Sequence, residues 1–195
     1  MRHALAKIFL WVMAYTLVAL MLANPILAAT RDVDCDRDET ITSDRNTRGF
    51  HLSNGGSFQV IGGTLNAADN RVHGIRVAYG ANLFITGLAK VFLQRNPQGL
   101  RIESNAQALV SKSPAITDPA VTITENTTAG VSVQAGFIDL HEAIITGNGP
   151  VDTDLDVDLG FGTRARLTGN TIGILDCDET VLLSPDTHIA CPSAP

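Results

Sequence analysis

The amino-acid sequence predicts an all-β chain wound as a parallel solenoid of about five to six coils, and three observations carry that expectation. First, one phrase recurs: Asn, two or three residues, Gly, then apolar-x-apolar. It runs from Asn46 through Gly49 to Phe50 and Leu52, from Asn70 through Gly74 to Ile75 and Val77, from Asn96 through Gly99 to Leu100 and Ile102, and from Asn126 through Gly130 to Val131 and Val133. Second, the first apolar positions fall at 50, 75, 100, 131 and 157, in steps of 25, 25, 31 and 26 residues. Third, no stretch beyond residue 29 sustains the 3.6-residue period of a helix, so a sheet of strands alternating with crossover helices is excluded. A chain of short two-period strands with no helices buries its apolar faces by winding, each strand pairing with its counterpart one coil later.

Residues 1–29 read as a secretory signal. Arg2, His3 and Lys7 precede an apolar run of 15 residues, Ile8 to Leu22, and Ala28 and Ala29 offer the small residues of a cleavage site. An uncleaved anchor is the competing reading, but the run is shorter than the ~20 residues that a bilayer core requires. The expectation is therefore a secreted or periplasmic protein with no stable membrane span after cleavage. Residues 30–45 are polar and acidic and read as an N-terminal cap, which shields the open end of a solenoid. Repeats then occupy 46–175, and 176–195 form a C-terminal cap or tail.

Within the repeats, each period holds up to three strand-like pieces. The first has Phe50 and Leu52, then Phe58 and Val60; the second Ile75 and Val77, Leu83 and Ile85, Val91 and Leu93; the third Leu100 and Ile102, Ala108 and Val110, Val121 and Ile123. The Ser/Pro-rich insertion from Ser111 to Pro119 accounts for the long step of 31. A fourth period has Val131 and Val133, Ile138 and Leu140, Ile144 and Ile145, and a weaker fifth has Val157 and Leu159, Ala165 and Leu167. Stacking in register brings Asn46, Asn70, Asn96 and Asn126 into a ladder of side-chain amides at a tight bend, where Asn tolerates left-handed backbone angles. Asn148 and Asn170, each after Thr-Gly, are candidates to extend it.

The phrases Ile145-Thr146-Gly147-Asn148 and Leu167-Thr168-Gly169-Asn170, with the four Asn-to-Gly copies, resemble the right-handed parallel β-helix repeat of the pectate-lyase-like superfamily over about residues 46 to 175. That resemblance implies a triangular solenoid of about 22 to 26 residues per coil, an Asn ladder, and association with extracellular polysaccharides. The chain departs from the pattern in having fewer coils than enzymes of that superfamily generally have, and in carrying Asp156 where the other copies have Gly.

The net charge of −6 and the absence of a basic run remove the electrostatic basis for binding nucleic acid. Of three cysteines, Cys177 and Cys191 lie fourteen positions apart, and an oxidising compartment favours their pairing. Cys35 is then a free or buried thiol.

Candidate site residues come from the positions after each first apolar residue: His51, Arg76, Arg101, Ser132 and Asp158. A column with two adjacent arginines and a histidine would hold an acidic sugar. An ordinary solvated face, with Glu103 as counter-charge, is the alternative. In the run from Val151 to Asp158, Asp154, Asp156 and Asp158 have the hard oxygen ligands that suit Ca²⁺, although alternate residues of a strand stand ~6.6 Å apart, too far to share one ion without a bend. No other cofactor is expected. His141-Glu142 has no nucleophile beside it in sequence. The expected function is therefore a non-catalytic exported protein that binds a polysaccharide or cell-surface glycan. The alternatives are a small polysaccharide lyase or glycoside hydrolase, and a structural envelope or adhesin-like component.

Overall fold

The computed structural model describes residues 30–33, 40–42, 48–114, 117–150, 155–185 and 191, with side chains from 49 onward. The expected signal at 1–29, Cys35, the ladder member Asn46 and the metal candidate Asp154 lie outside the described residues.

The described chain is all-β and visits three sheets in rotation. The first coil is β1 (Thr30–Val33), β2 (Thr40–Thr42) and β3 (Arg48–Leu52); the second is β4 (Ser57–Val60), β5 (Thr64–Ala68) and β6 (His73–Val77). The third is β7 (Asn82–Gly87), β8 (Lys90–Gln94) and β9 (Gln98–Glu103), and the fourth β10 (Gln107–Lys112), β11 (Val121–Thr124) and β12 (Ala129–Gln134). Then come β13 (Phe137–His141), β14 (Ile144–Thr146) and β15 (Val157–Leu159), and finally β16 (Arg164–Thr168), β17 (Thr171–Ile172), β18 (Leu175–Cys177) and β19 (Leu182–Leu183).

Sheet A is β1-β4-β7-β10-β13-β16-β19, sheet B is β2-β5-β8-β11-β14-β17, and sheet C is β3-β6-β9-β12-β15-β18. Every recorded pairing, such as β6 with β9 and β9 with β12, is parallel. The result is a β-solenoid of about four turns. The five to six coils expected from sequence differ slightly from this count. Pairing also runs past residue 175, since Leu182 and Leu183 stand beside Arg164 and Ala165.

Alternation within each strand decides what faces inward. Phe50, Ile75, Leu100, Val131, Val157 and Leu175 stack in one register line of sheet C, and Val60, Ile85, Val110, Leu140 and Leu167 in one line of sheet A. Nearly all of these are buried. At about 1.5–3 kcal/mol for each buried aliphatic side chain, these lines are the main stabilising term.

The Asn-to-Gly phrase marks the corner from sheet B to sheet C. The left-handed residue there is the one before each Asn: φ is 56° at Asp69, 52° at Arg95, 58° at Glu125 and 67° at Gly147. The Asn is thus selected for its amide and not for backbone tolerance, which corrects the expectation. The Gly that follows is needed for close approach. A Cβ on Gly99 would sit 2.5 Å from Ile123 Cγ2, 2.6 Å from Gly130 O and 2.9 Å from Asn126 Nδ2.

Candidate functional site

Three columns of polar residues run along the solenoid, and each has a different exposure and a different chemistry.

The first is the buried ladder at the corner between sheets B and C. Asn70 N and Nδ2 donate to Asn96 Oδ1, both at 3.0 Å; Asn96 N and Nδ2 donate to Asn126 Oδ1 at 2.9 and 3.1 Å; Asn126 N and Nδ2 donate to Asn148 Oδ1 at 3.1 and 2.8 Å. The amides of Asn96, Asn126 and Asn148 also donate back to main-chain carbonyls, as Asn126 Nδ2 does to Leu93 O at 3.0 Å. Asn148 extends the ladder as expected, but Asn170 does not. It stands at the corner between sheets A and B, accepting from Ala143 N and donating to Leu140 O.

The next rung after Asn148 is Asp156, the residue that replaces the repeat glycine. Its Oδ1 accepts from Asn148 N and Nδ2 at 3.0 and 2.9 Å, and its Oδ2 accepts from Ile174 N at 2.8 Å. Asp156 is 1% exposed, so both its oxygens serve the fold. Its fellow candidate Asp158 instead faces outward and accepts from Ser132 Oγ at 3.1 Å. Among the described residues no group of three or more His, Cys, Asp or Glu is placed to hold a metal ion.

The second column is the outer face of sheet C, where register places His51, Arg76, Arg101, Ser132, Asp158 and Asp176 side by side. The expected column forms, but its arginines are engaged. Glu103 lies between them: Arg76 donates to it from Nε at 2.9 Å and from Nη2, and Arg101 donates from Nε at 2.9 Å. Arg76 Nη1 also meets His51 Nε2 at 3.1 Å, and Arg101 reaches Ser132 Oγ at 3.3 Å and Gln134 Oε1 at 3.0 Å. The side chains of Arg76, Glu103 and Arg101 are only 15%, 18% and 19% exposed. Burial pushes the Glu103 carboxyl up, but the hydrogen bonds and charges of Arg76 and Arg101 outweigh it and hold the group below its ordinary value. Asp158 goes the other way. Burial and the neighbouring Asp176 carboxylate raise it, against the Ser132 hydrogen bond and Arg101. Two exposed aromatics flank this face: Tyr79, whose ring centroid is 5.9 Å from the Arg76 guanidinium carbon, and Phe161, which is 70% exposed.

No family model, curated protein or solved structure matches this chain.

The third column lies on sheet B. Its outward residues are Asn66, Phe92, Thr122, Ile144 and Thr171 in one register line and Gln94, Thr124 and Thr146 in the next. Most are half-buried against one another and none is charged; Lys90, at the margin, is tied to Asp118 at 2.7 Å. The signal for this face stands in the sequence as the alternation Val121-Thr122-Ile123-Thr124, yet it gives no reason to prefer it over any other strand.

Beyond these faces, Cys177 and Cys191 form the expected disulfide, which suits an oxidising compartment. No helix among the described residues is long and apolar enough to cross a membrane.

Proposed function

We propose that the protein is an exported, non-catalytic member of the pectate-lyase-like β-helix group that binds a glycan or other carbohydrate surface through the flat, uncharged flank of sheet B. The observation that carries this reading is the pair of neutral columns, Asn66–Phe92–Thr122–Ile144–Thr171 and Gln94–Thr124–Thr146. Their side chains repeat every ~4.8 Å along the axis. Hydroxyl and amide groups at that spacing offer donors and acceptors to sugar hydroxyls, while Phe92 and Ile144 cover the apolar face of a sugar ring. Export is supported by the basic, apolar, small-residue order of positions 1–29 and by the disulfide. On sheet C, His51, Arg76 and Arg101 remain a weaker candidate for an acidic sugar, because Glu103 already occupies both guanidiniums.

One observation favours a second reading, glycoside hydrolysis. The raised Asp158 carboxyl beside Asp176 has the character of an acid paired with a carboxylate. Titration against a panel of neutral and acidic oligosaccharides tests both. Binding without release of reducing ends, weakened about tenfold or more in the double variant Phe92→Ala with Thr124→Ala, supports the first. Release of reducing ends that Asp158→Asn abolishes would replace it with the second.

A further inference from the structure

The outward row of sheet B repeats its chemistry at every second coil. Asn66, Phe92, Thr122, Ile144 and Thr171 stand side by side in register, so polar and large apolar side chains alternate along the solenoid axis. Phe92 and Ile144 are therefore two strand spacings apart, ~9.6 Å. The neighbouring row does not alternate. Gln94, Thr124 and Thr146 follow one another there, and each can both donate and accept a hydrogen bond. Charges at the two margins are paired, Lys90 Nζ with Asp118 Oδ2 at 2.7 Å and Arg95 Nε with Asp69 Oδ1 at 2.8 Å.

We infer that the ligand of this face is a neutral, β-1,4-linked polysaccharide that lies along the solenoid axis with one sugar over each strand, an inference that rests on the glycan reading above. Rise is the first match. An extended β-1,4-linked chain is a straight ribbon that advances about 5 Å per sugar, close to the ~4.8 Å between neighbouring strands. Period is the second. Each sugar of that ribbon is turned through about half a revolution from the last, so a given ring face returns only at every second sugar. Phe92 and Ile144 recur at the same interval and meet the more apolar face of alternate rings, while Asn66, Thr122 and Thr171 fall at the rings between them. The half-turn also alternates the ring hydroxyls and the hydroxymethyl group along each edge of the ribbon. Gln94, Thr124 and Thr146 serve either, because each is donor and acceptor at once. Charge is the third. Neither row has a charged side chain, so a uronic acid would find no counter-charge there. Chains linked β-1,3 or α-1,4 curve out of the plane and cannot hold both Phe92 and Ile144.

The test is calorimetric titration of the full chain with cellohexaose and chitohexaose, both β-1,4-linked, and with laminarihexaose, β-1,3-linked, and maltohexaose, α-1,4-linked. At least one of the first two is expected to bind about tenfold or more tightly than either of the others. Phe92→Ala and Ile144→Ala are each expected to weaken that binding about fivefold or more, while Leu109→Ala, on sheet A, leaves it intact. An unchanged far-UV circular dichroism spectrum verifies the fold of each variant, and the comparison of linkages on the unaltered chain does not depend on them. Equal affinity for all four hexaoses would overturn the inference and leave the glycan reading standing. A β-1,4 preference that neither substitution weakens would place the site elsewhere and overturn both. Binding of none of the four would also overturn the inference, and the wider panel of neutral and acidic oligosaccharides would then decide the glycan reading by itself.

Discussion

The asparagine ladder and the arginine column are built by the same coil repeat, yet they do opposite things. The ladder is buried, and each Asn from Asn96 to Asn148 accepts two hydrogen bonds from the coil before it and donates its own to the coil after it. The arginine column is at the surface, and its like charges stand next to one another only because Glu103 compensates both. Stacking is therefore cheap for a side chain that is both donor and acceptor, and it requires a third residue for one that is only a donor. Fold specificity resides in the first column, and tunable surface chemistry in the second.

The largest expected effect lies in the ladder. Asn126→Ala removes the acceptor of Asn96 N and Nδ2 inside the protein and leaves a cavity, so we expect a loss of about 4 kcal/mol in chemical denaturation. A loss no larger than that of an exposed substitution would remove the distinction between the columns. Gly99→Ala comes next, at about 2–3 kcal/mol, because the added methyl meets backbone and the Ile123 side chain. Thermal unfolding monitored by circular dichroism reports it, and Gly80→Ala is a poor control because φ there is +71°.

Asp156→Asn sharpens the comparison within the ladder. An amide supplies one acceptor oxygen where the carboxylate supplies two, so its NH₂ would face either Asn148 or Ile174 N–H. We expect a cost of about 1–2 kcal/mol from that isosteric change, and a neutral result would mean that Asp156 is not the final rung.

The smallest effects belong to the surface column and carry opposite signs. Glu103 has a depressed folded pKa, so its contribution is present above its ordinary value of 4.5 and is lost as pH falls through the folded value. Glu103→Gln should therefore flatten the acid limb of a stability-against-pH curve. Asp158 is raised, so its favourable contribution exists at low pH and disappears as pH rises through its folded value. Asp158→Asn should stabilise slightly at neutral pH, and pH-dependent denaturation curves for the two variants that bend the same way would contradict the assignment.

Much of this was legible in the sequence because the repeat period fixes which side chains become neighbours. Asn70, Asn96 and Asn126, the column from His51 to Asp158, and the Cys177–Cys191 pair all follow from position alone. What position alone leaves open is which corner a residue reaches. Asn148 and Asn170 both follow Thr-Gly, yet only Asn148 lies after a strand of sheet B, while Asn170 follows β16 in sheet A. Asp156 looks like one of a set of acidic residues until the turn before Val157 points it inward.

The most direct test is the map of inter-strand proton contacts by nuclear magnetic resonance. Contacts that join Ile75 to Leu100, Leu100 to Val131 and Val131 to Val157, in the pattern of parallel strands, are predicted. Close Hα–Hα contacts between consecutive segments such as β8 and β9, the mark of an antiparallel hairpin, would contradict the account at its root.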